Sequence, residues 1–424
     1  MNRLIKKFGE IVANAANNSP KRALNLLRLG YFLNYIQLKL VPDPRLLPHQ
    51  DYIAMISNKA IRKPLANPQD SAVVNIFFPC QILHSMDIIP QFTEGFACYL
   101  NGAGCEGFFI QYAEKYGIPQ TYCSYHKVLL GAVLSDVIPA PKFVATTSLA
   151  CDANNTTFRT IAAHYQIPYY LVDVPNVCSQ EAIDYVANQL KELVSMIKDI
   201  SSKRMDEDRL RMTIKIANRS MRKYKKHLSL LKDRYMSGSM TAEMFKIFPT
   251  HILLGREEAD NYFSLLLEDT KTARRARDEK RILWVHTMPF WQESLKEILN
   301  YNPKCQLLPC DINFDSLEEM DENKPYESIA RRLLLNLVNG PGERRGRAVV
   351  DMAKELKADG IVYFCHWGCK HTLGNVKLIT DIIKEEGFPL LILDGDGCDR
   401  NNINDGQMAT KLQAFLELLG VAWV

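Results

Sequence analysis

GIVYFCHWGCKHTLGNVKLITDIIKEEGFPLLILDGDG, residues 360–397, decides the fold class. A short apolar run, GIVYFCHW, gives way to VKLITDIIKEE, which has a helical period, and then to a second apolar run, PLLILDGDG. Gly387 and Pro389 punctuate the end of the helix before the second run begins. Strand, helix and strand in that order belong to a parallel sheet, so the surrounding chain is expected to be α/β.

Working outward, the same alternation continues on both sides. Upstream stand ILWVHTM from residue 282, QLLPCDI from 306 and two helical stretches over 326–358, the first closed by Asn339, Gly340 and Pro341; downstream comes a last helix, QMATKLQAFLELL. An earlier series carries VVNIFF at 73–78, FVATTS at 143–148, the helix TFRTIAAHYQ and YYLVDVP at 169–175. The second half repeats the architecture of the first. The expectation is two Rossmann- or flavodoxin-like parallel-sheet domains, at 71–180 and 281–424. Residues 1–70 form an N-terminal helical arm, punctuated by prolines in VPDPRLLPHQ and KPLANPQ. Residues 181–280 are long, charged and helical in period, with Pro249 and Gly255 as their main breaks, and read as a helical connector.

At 424 residues the chain is too long for one ordinary core, and its 47% hydrophobic and 24% charged residues are those of a soluble globular protein. A net charge of +4 does not call for nucleic acid and is compatible with acidic ligands. The longest apolar stretches, such as Phe388 to Leu393, fall far short of the roughly 18 to 20 residues that span a bilayer, so no membrane segment is expected. Glu10 and Asn14 interrupt the N-terminus before the apolar core of a signal peptide can form, and a cytoplasmic location is the expectation. Residues 203–234 carry 12 Lys or Arg against four Asp or Glu; a solvated helix face explains them better than a binding site.

Eleven cysteines are too many to ignore, and their odd number in a large chain argues against disulfide staples. Position is more informative than number. Cys123 lies in GIPQTYCSYHK, Cys151 follows FVATTSLA, and Cys365 and Cys369 follow GIVYF. Ligands of open α/β sheets bind beyond the carboxyl ends of strands, and soft thiolates are what iron-sulfur clusters require. The intervals, 28 residues from Cys123 to Cys151 and 218 on to Cys369, match no ferredoxin or zinc-finger run, so any such site must be assembled from distant segments. Burial in a core is the simpler reading of Cys98, Cys105, Cys178, Cys305 and Cys310, and spacing alone leaves Cys123, Cys151 and Cys369 open between the two.

The segments PCQILHSMDIIPQF, CSYHKVLLGAVLSDVIPAPKFVATTSLACDANN and YFCHWGCKHTLGNVKLITDIIKEEGFPLLILDGDGCDRNN resemble the family of 2-hydroxyacyl-CoA dehydratase and benzoyl-CoA reductase subunits. The likeness runs from about Val73 to the C-terminus and is weakest in the connector. It implies two α/β lobes holding a 4Fe-4S cluster on Cys123, Cys151 and Cys369, with Cys369 preferred to Cys365 because it stands 18 residues before Gly387. Three protein ligands would leave one iron open to a substrate oxygen. It further implies an enzyme in which a low-potential electron turns a 2-hydroxyacyl-CoA into a ketyl radical anion that expels hydroxide, giving an enoyl-CoA. The electron would come from a separate ATP-hydrolysing iron-sulfur activator, because this chain has no Gly-Lys dipeptide for a Walker loop and GPGERRG near 340 lacks a dinucleotide context. An identical or homologous subunit completes the expected dimer.

Cys80, Cys365 and Cys398 are further thiols within the matching segments. They keep open a homodimeric branch with a double-cubane 8Fe-9S cluster that reduces small molecules, and a third alternative is a non-catalytic cysteine-rich binding protein. Ser124 and His126, with Lys127, follow Cys123 and are candidates for proton transfer, against the simpler roles of hydrogen bonding to sulfur and helix capping. His366 and Trp367 are expected beside the cluster, where an aromatic ring excludes water and tunes the potential, although packing alone explains Trp367 equally well. The loop DGDGCDRNN, 394–402, reads as a turn first and a substrate loop second.

Overall fold

The computed structural model describes residues 3–314, 317–402 and 405–421. The extreme ends of the expected arm and second domain, and the pairs 315–316 and 403–404 within that domain, lie outside the described residues.

The described chain contains two parallel four-stranded sheets. The first has β1 (Ser71–Val74), β2 (Ile89–Phe92), β3 (Phe143–Thr147) and β4 (Tyr169–Val172) in the order β2-β1-β3-β4. The second has β5 (Lys280–Val285), β6 (Cys305–Leu307), β7 (Gly360–His366) and β8 (Leu390–Gly395) in the order β6-β5-β7-β8. Each chain path moves outward once, then jumps back across its starting strand, which is the flavodoxin-like order and opens a crevice at the carboxyl ends. The central strands β1, β3 and β7 are buried at every residue, as sheets covered on both faces require. The α/β expectation therefore holds in both halves.

Three details differ from the sequence reading. Strand β2 was not expected; it is an edge strand four residues long, and Pro90 within it is tolerated because an edge need not donate every N–H. VVNIFF pairs only as far as Val74. Asn75 then accepts from the Thr147 N–H and donates to the Thr147 hydroxyl, both at 3.1 Å, turning the chain away. In QLLPCDI the strand ends at Leu307, and Asp311–Asn313 is a single 3₁₀ turn.

Helices Arg3–Asn18, Pro20–Leu40 and Pro48–Ala66 make up the N-terminal region, and four α-helices and one π-helical turn, Phe248–Ile252, between Gln180 and Thr272 separate the sheets. The basic helix Glu207–Leu231 packs Leu210, Ile214, Ala217, Met221 and Tyr224 inward against the helix Glu257–Thr272. Its cations are matched locally: Arg219 to Glu257 at 2.7 Å and to Asp260 at 2.8 Å, Lys223 to Asp260 at 2.6 Å, and Arg222 to Glu319 at 2.8 Å.

The two lobes are clasped by the loop after β8. Ser124 Oγ donates to Asp396, Tyr125 Oη to the Gly397 carbonyl at 2.9 Å, and Asn101 Nδ2 to the Cys398 carbonyl at 2.6 Å. Arg400 Nη1 completes the clasp through the Asn101 carbonyl at 2.6 Å and Glu106 at 2.8 Å. DGDGCDR is thus a turn whose carbonyls and charges bind the other lobe.

Candidate functional site

Four described α-helices have a cysteine at the N-cap: Cys123 before Ser124–Leu134, Cys151 before Asp152–Tyr165, Cys369 before Lys370–Glu385, and Cys105 before Glu106–Lys115, whose thiol is taken up by the Leu100 carbonyl at 3.4 Å. Serine, threonine or aspartate usually stands at that position, where free N–H groups and the positive end of the helix dipole favour an anion. Cys151 follows β3 and Cys369 follows β7, so the two are equivalent in the two lobes. The residue before each is in the left-handed region, Ala150 at φ 67° and Gly368 at φ 80°. The Gly368 turn lies directly on the backbone of Cys123: a Cβ added there would stand 2.8 Å from the Cys123 Cα and N. Residues from both lobes thereby meet at one place.

Burial raises the Cys123 thiol well above its usual range, and repulsion from Cys151 and then Cys369 adds to it. Burial likewise raises Cys151, with Cys369 the next contributor. The N–H groups of His126 at Cys123, and of Asn154 and Ala153 at Cys151, pull the other way. Thiols that crowd one another in a buried space, and that would lose their protons to a bound cation, are suited to a cationic centre with soft-ligand preference. Among the described residues no three His, Cys, Asp or Glu side chains gather closely enough to hold a single metal ion. An iron-sulfur cube takes one thiolate per iron, so its ligands ring a volume instead of meeting at a point. The donor set fits a cluster better than mononuclear zinc.

Two histidines border the thiols. His366 Nε2 is 3.4 Å from Cys123 Sγ, and His126 Nε2 is 3.7 Å from Cys151 Sγ. Burial lowers the His126 pKa to about 3, so its ring is neutral, and its buried Nδ1 has no hydrogen-bond partner. The Ser124 hydroxyl is engaged by Asp396, and Lys127 pairs with Glu114 at 2.7 Å and the Gln120 carbonyl at 2.9 Å. The guanidinium of Arg345, 1% exposed, is bound to Asp311. Burial opposes its charge, but Asp311, Tyr363 and Cys369 outweigh that and raise its pKa.

Sequence reasoning missed Glu94, in the first turn of the helix Thr93–Gly102 directly after β2. Burial raises its pKa to about 7, one carboxyl oxygen is buried without a partner, and its charge bears on Cys151. Its sequence signal would have been the strand-to-helix boundary at FTEG.

Cys80, Cys365 and Cys398 occupy no N-cap. Cys80 is fully buried, and burial alone raises its thiol. Cys365 lies within β7, and burial followed by the Asp394 charge pushes it up to about 12. Cys398 belongs to the clasp, 3.9 Å from the Ala97 carbonyl. A cleft of about 570 Å³ is lined by residues flanking Cys123 and Cys369 in the chain, Tyr122, Gly368 and Lys370, together with Lys127, Trp367 and Asp399 among others. Trp367 lines this cleft and is 37% exposed.

The sequence profile of the family described as 2-hydroxyglutaryl-CoA dehydratase, D-component, matches residues 75–419. The chain is 25% identical over 368 residues to the (R)-phenyllactyl-CoA dehydratase alpha subunit of Clostridium sporogenes, covering 81% of this chain and 88% of the relative. It is 22% identical over 370 residues to the (R)-2-hydroxyisocaproyl-CoA dehydratase alpha subunit of Clostridioides difficile, with the same shares covered. The beta subunit of the C. sporogenes enzyme is 23% identical over 262 residues, 60% of this chain and 68% of that subunit.

Proposed function

The chain belongs to the 2-hydroxyglutaryl-CoA dehydratase D-component family, and on that footing we propose that it is a dehydratase subunit converting a 2-hydroxyacyl-CoA to an enoyl-CoA, with an iron-sulfur cluster held by Cys123, Cys151 and Cys369. The observation that carries this reading is the convergence of three N-capping thiols from both lobes. When bound, the cluster supplies a low-potential electron to the thioester, the ketyl chemistry that lets hydroxide leave an otherwise unactivated carbon.

The chain's own residues do the rest. The three helix N-termini and the Arg345 guanidinium offset negative charge in the site. Glu94, with a pKa of about 7 and a bare buried oxygen, holds a proton near neutral pH, and its charge bears on Cys151. His126 stays neutral, so it orients groups through its unpartnered Nδ1 and does not serve as an acid. Ser124 is assigned to the lobe clasp, because its hydroxyl proton already has an acceptor. The cleft beside Trp367 and Gly368 admits the CoA ester.

A separate ATP-hydrolysing activator delivers the electron, since the sequence carries no Walker loop. Relatives named as alpha and beta subunits support pairing with a homologous chain. The test is an anaerobic assay for enoyl-CoA formation with ATP, reductant and activator. Cys151→Ala is expected to keep its circular dichroism and lose more than ~100-fold in rate. Wild-type turnover in that variant would refute the proposal.

A further inference from the structure

His366 ends β7 in the second lobe, yet the sulfur beside its ring belongs to the first. Its two ring nitrogens have different neighbours. Nδ1 lies 3.0 Å from the backbone nitrogen of Gly397, a group that can only donate, so Nδ1 is the bare acceptor. Asp396, 4.0 Å from the same atom, is too distant to compete for a proton there. The ring hydrogen therefore sits on Nε2, and Nε2 stands 3.4 Å from Cys123 Sγ.

The ring is held in this orientation. Tyr125 meets it edge-on with centroids 5.3 Å apart, and His286 and Phe364 flank it at 6.4 Å. Gly397 is equally fixed: Tyr125 Oη donates to its carbonyl at 2.9 Å, and a Cβ on Gly397 would stand 2.7 Å from that same oxygen. The donor to Cys123 is thus built from backbone of the clasp, through an imidazole, to sulfur in the opposite lobe.

We propose that His366 is a positioning residue, donating an Nε2 hydrogen bond across the lobe boundary to Cys123 sulfur and making the cluster easier to reduce. The inference rests on the cluster reading above. A donor to a ligating sulfur stabilises the more negative, reduced state and so raises the potential.

Two substitutions separate the two nitrogens. Asn puts an acceptor where Nδ1 stands and removes the donor at Nε2; Gln keeps a donor at the Nε2 end. Wild type, His366→Asn and His366→Gln are purified anaerobically, assayed for iron and sulfide, and titrated for potential by electron paramagnetic resonance. The Asn variant is expected to be reduced only at a more negative potential, or to lose iron, while Gln stays close to wild type. Two variants that behave alike, whether both unchanged, both shifted or both iron-free, overturn the proposal.

A second readout needs no iron. Two-bond proton–nitrogen correlations of histidine-labelled, iron-free wild type, with His366 assigned by its loss in the Gln variant, are expected to show a bare Nδ1 and a protonated Nε2. The other tautomer would overturn the hydrogen bond whatever the cluster does. Wild-type protein that binds no iron would overturn the cluster reading instead.

Discussion

Glu94 is the residue whose chemistry burial changes most usefully. Its pKa rises from the ordinary 4.5 to about 7 because water is excluded from its carboxyl. Below pH 4.5 folded and unfolded chains both hold the proton; between there and about 7 only the folded chain does. Stability is therefore lost as pH rises across that window, by up to ~3 kcal/mol at about 1.4 kcal/mol per unit. In iron-free protein the urea midpoint of wild type is expected to fall relative to Glu94→Gln between pH 5 and 7.5, and a gap that stays constant with pH would contradict the assignment. Glu94 was not legible in the sequence, since its proton is retained through burial by distant segments and the strand before it is short and contains Pro90. Cys151 and Cys369 were easier to single out because each follows an apolar strand.

At the scale of elements, the turn before Cys369 decides whether the lobes can meet. Gly368 has φ 80°, and an added Cβ would stand 2.8 Å from Cys123 backbone. Gly368→Ala is expected to destabilise the protein by about 2 kcal/mol, through backbone strain and overpacking, and to reduce iron content. Gly374 offers the control, since open space surrounds it within the following helix. Gly374→Ala should gain about 0.5 kcal/mol with iron unchanged. Urea unfolding with iron analysis of both variants checks the pair. Long apolar runs identified β3, β5, β7 and β8, but they overstated β1 and β6. Phe78 is as buried as a strand residue while its N–H bonds only to the nearby Asn75 carbonyl, so apolarity marked burial there and not pairing.

For the whole molecule, the clasp makes the two sheets one structure. Arg400 is a cation of the clasp, and removing it leaves the largely buried Glu106 without its partner charge. Arg400→Ala is expected to cost about 3 kcal/mol, and the double variant with Glu106→Gln less than that. Thermal unfolding of the two compares them. The duplicated architecture was readable from alternating strands and helices. The meeting of Cys123 with Cys369 was suggested by thiols placed at carboxyl ends of strands in two halves that could face each other, but their separation in sequence did not establish how the lobes face, and resemblance to a family pointed to the same three. The most direct test of the account is iron and sulfide content per chain after anaerobic purification, for wild type and for Cys123→Ser, Cys151→Ser and Cys369→Ser. The account predicts about four irons and four sulfides in wild type and loss of the cluster in each variant; an iron-free wild type, or full iron in all three variants, would contradict it.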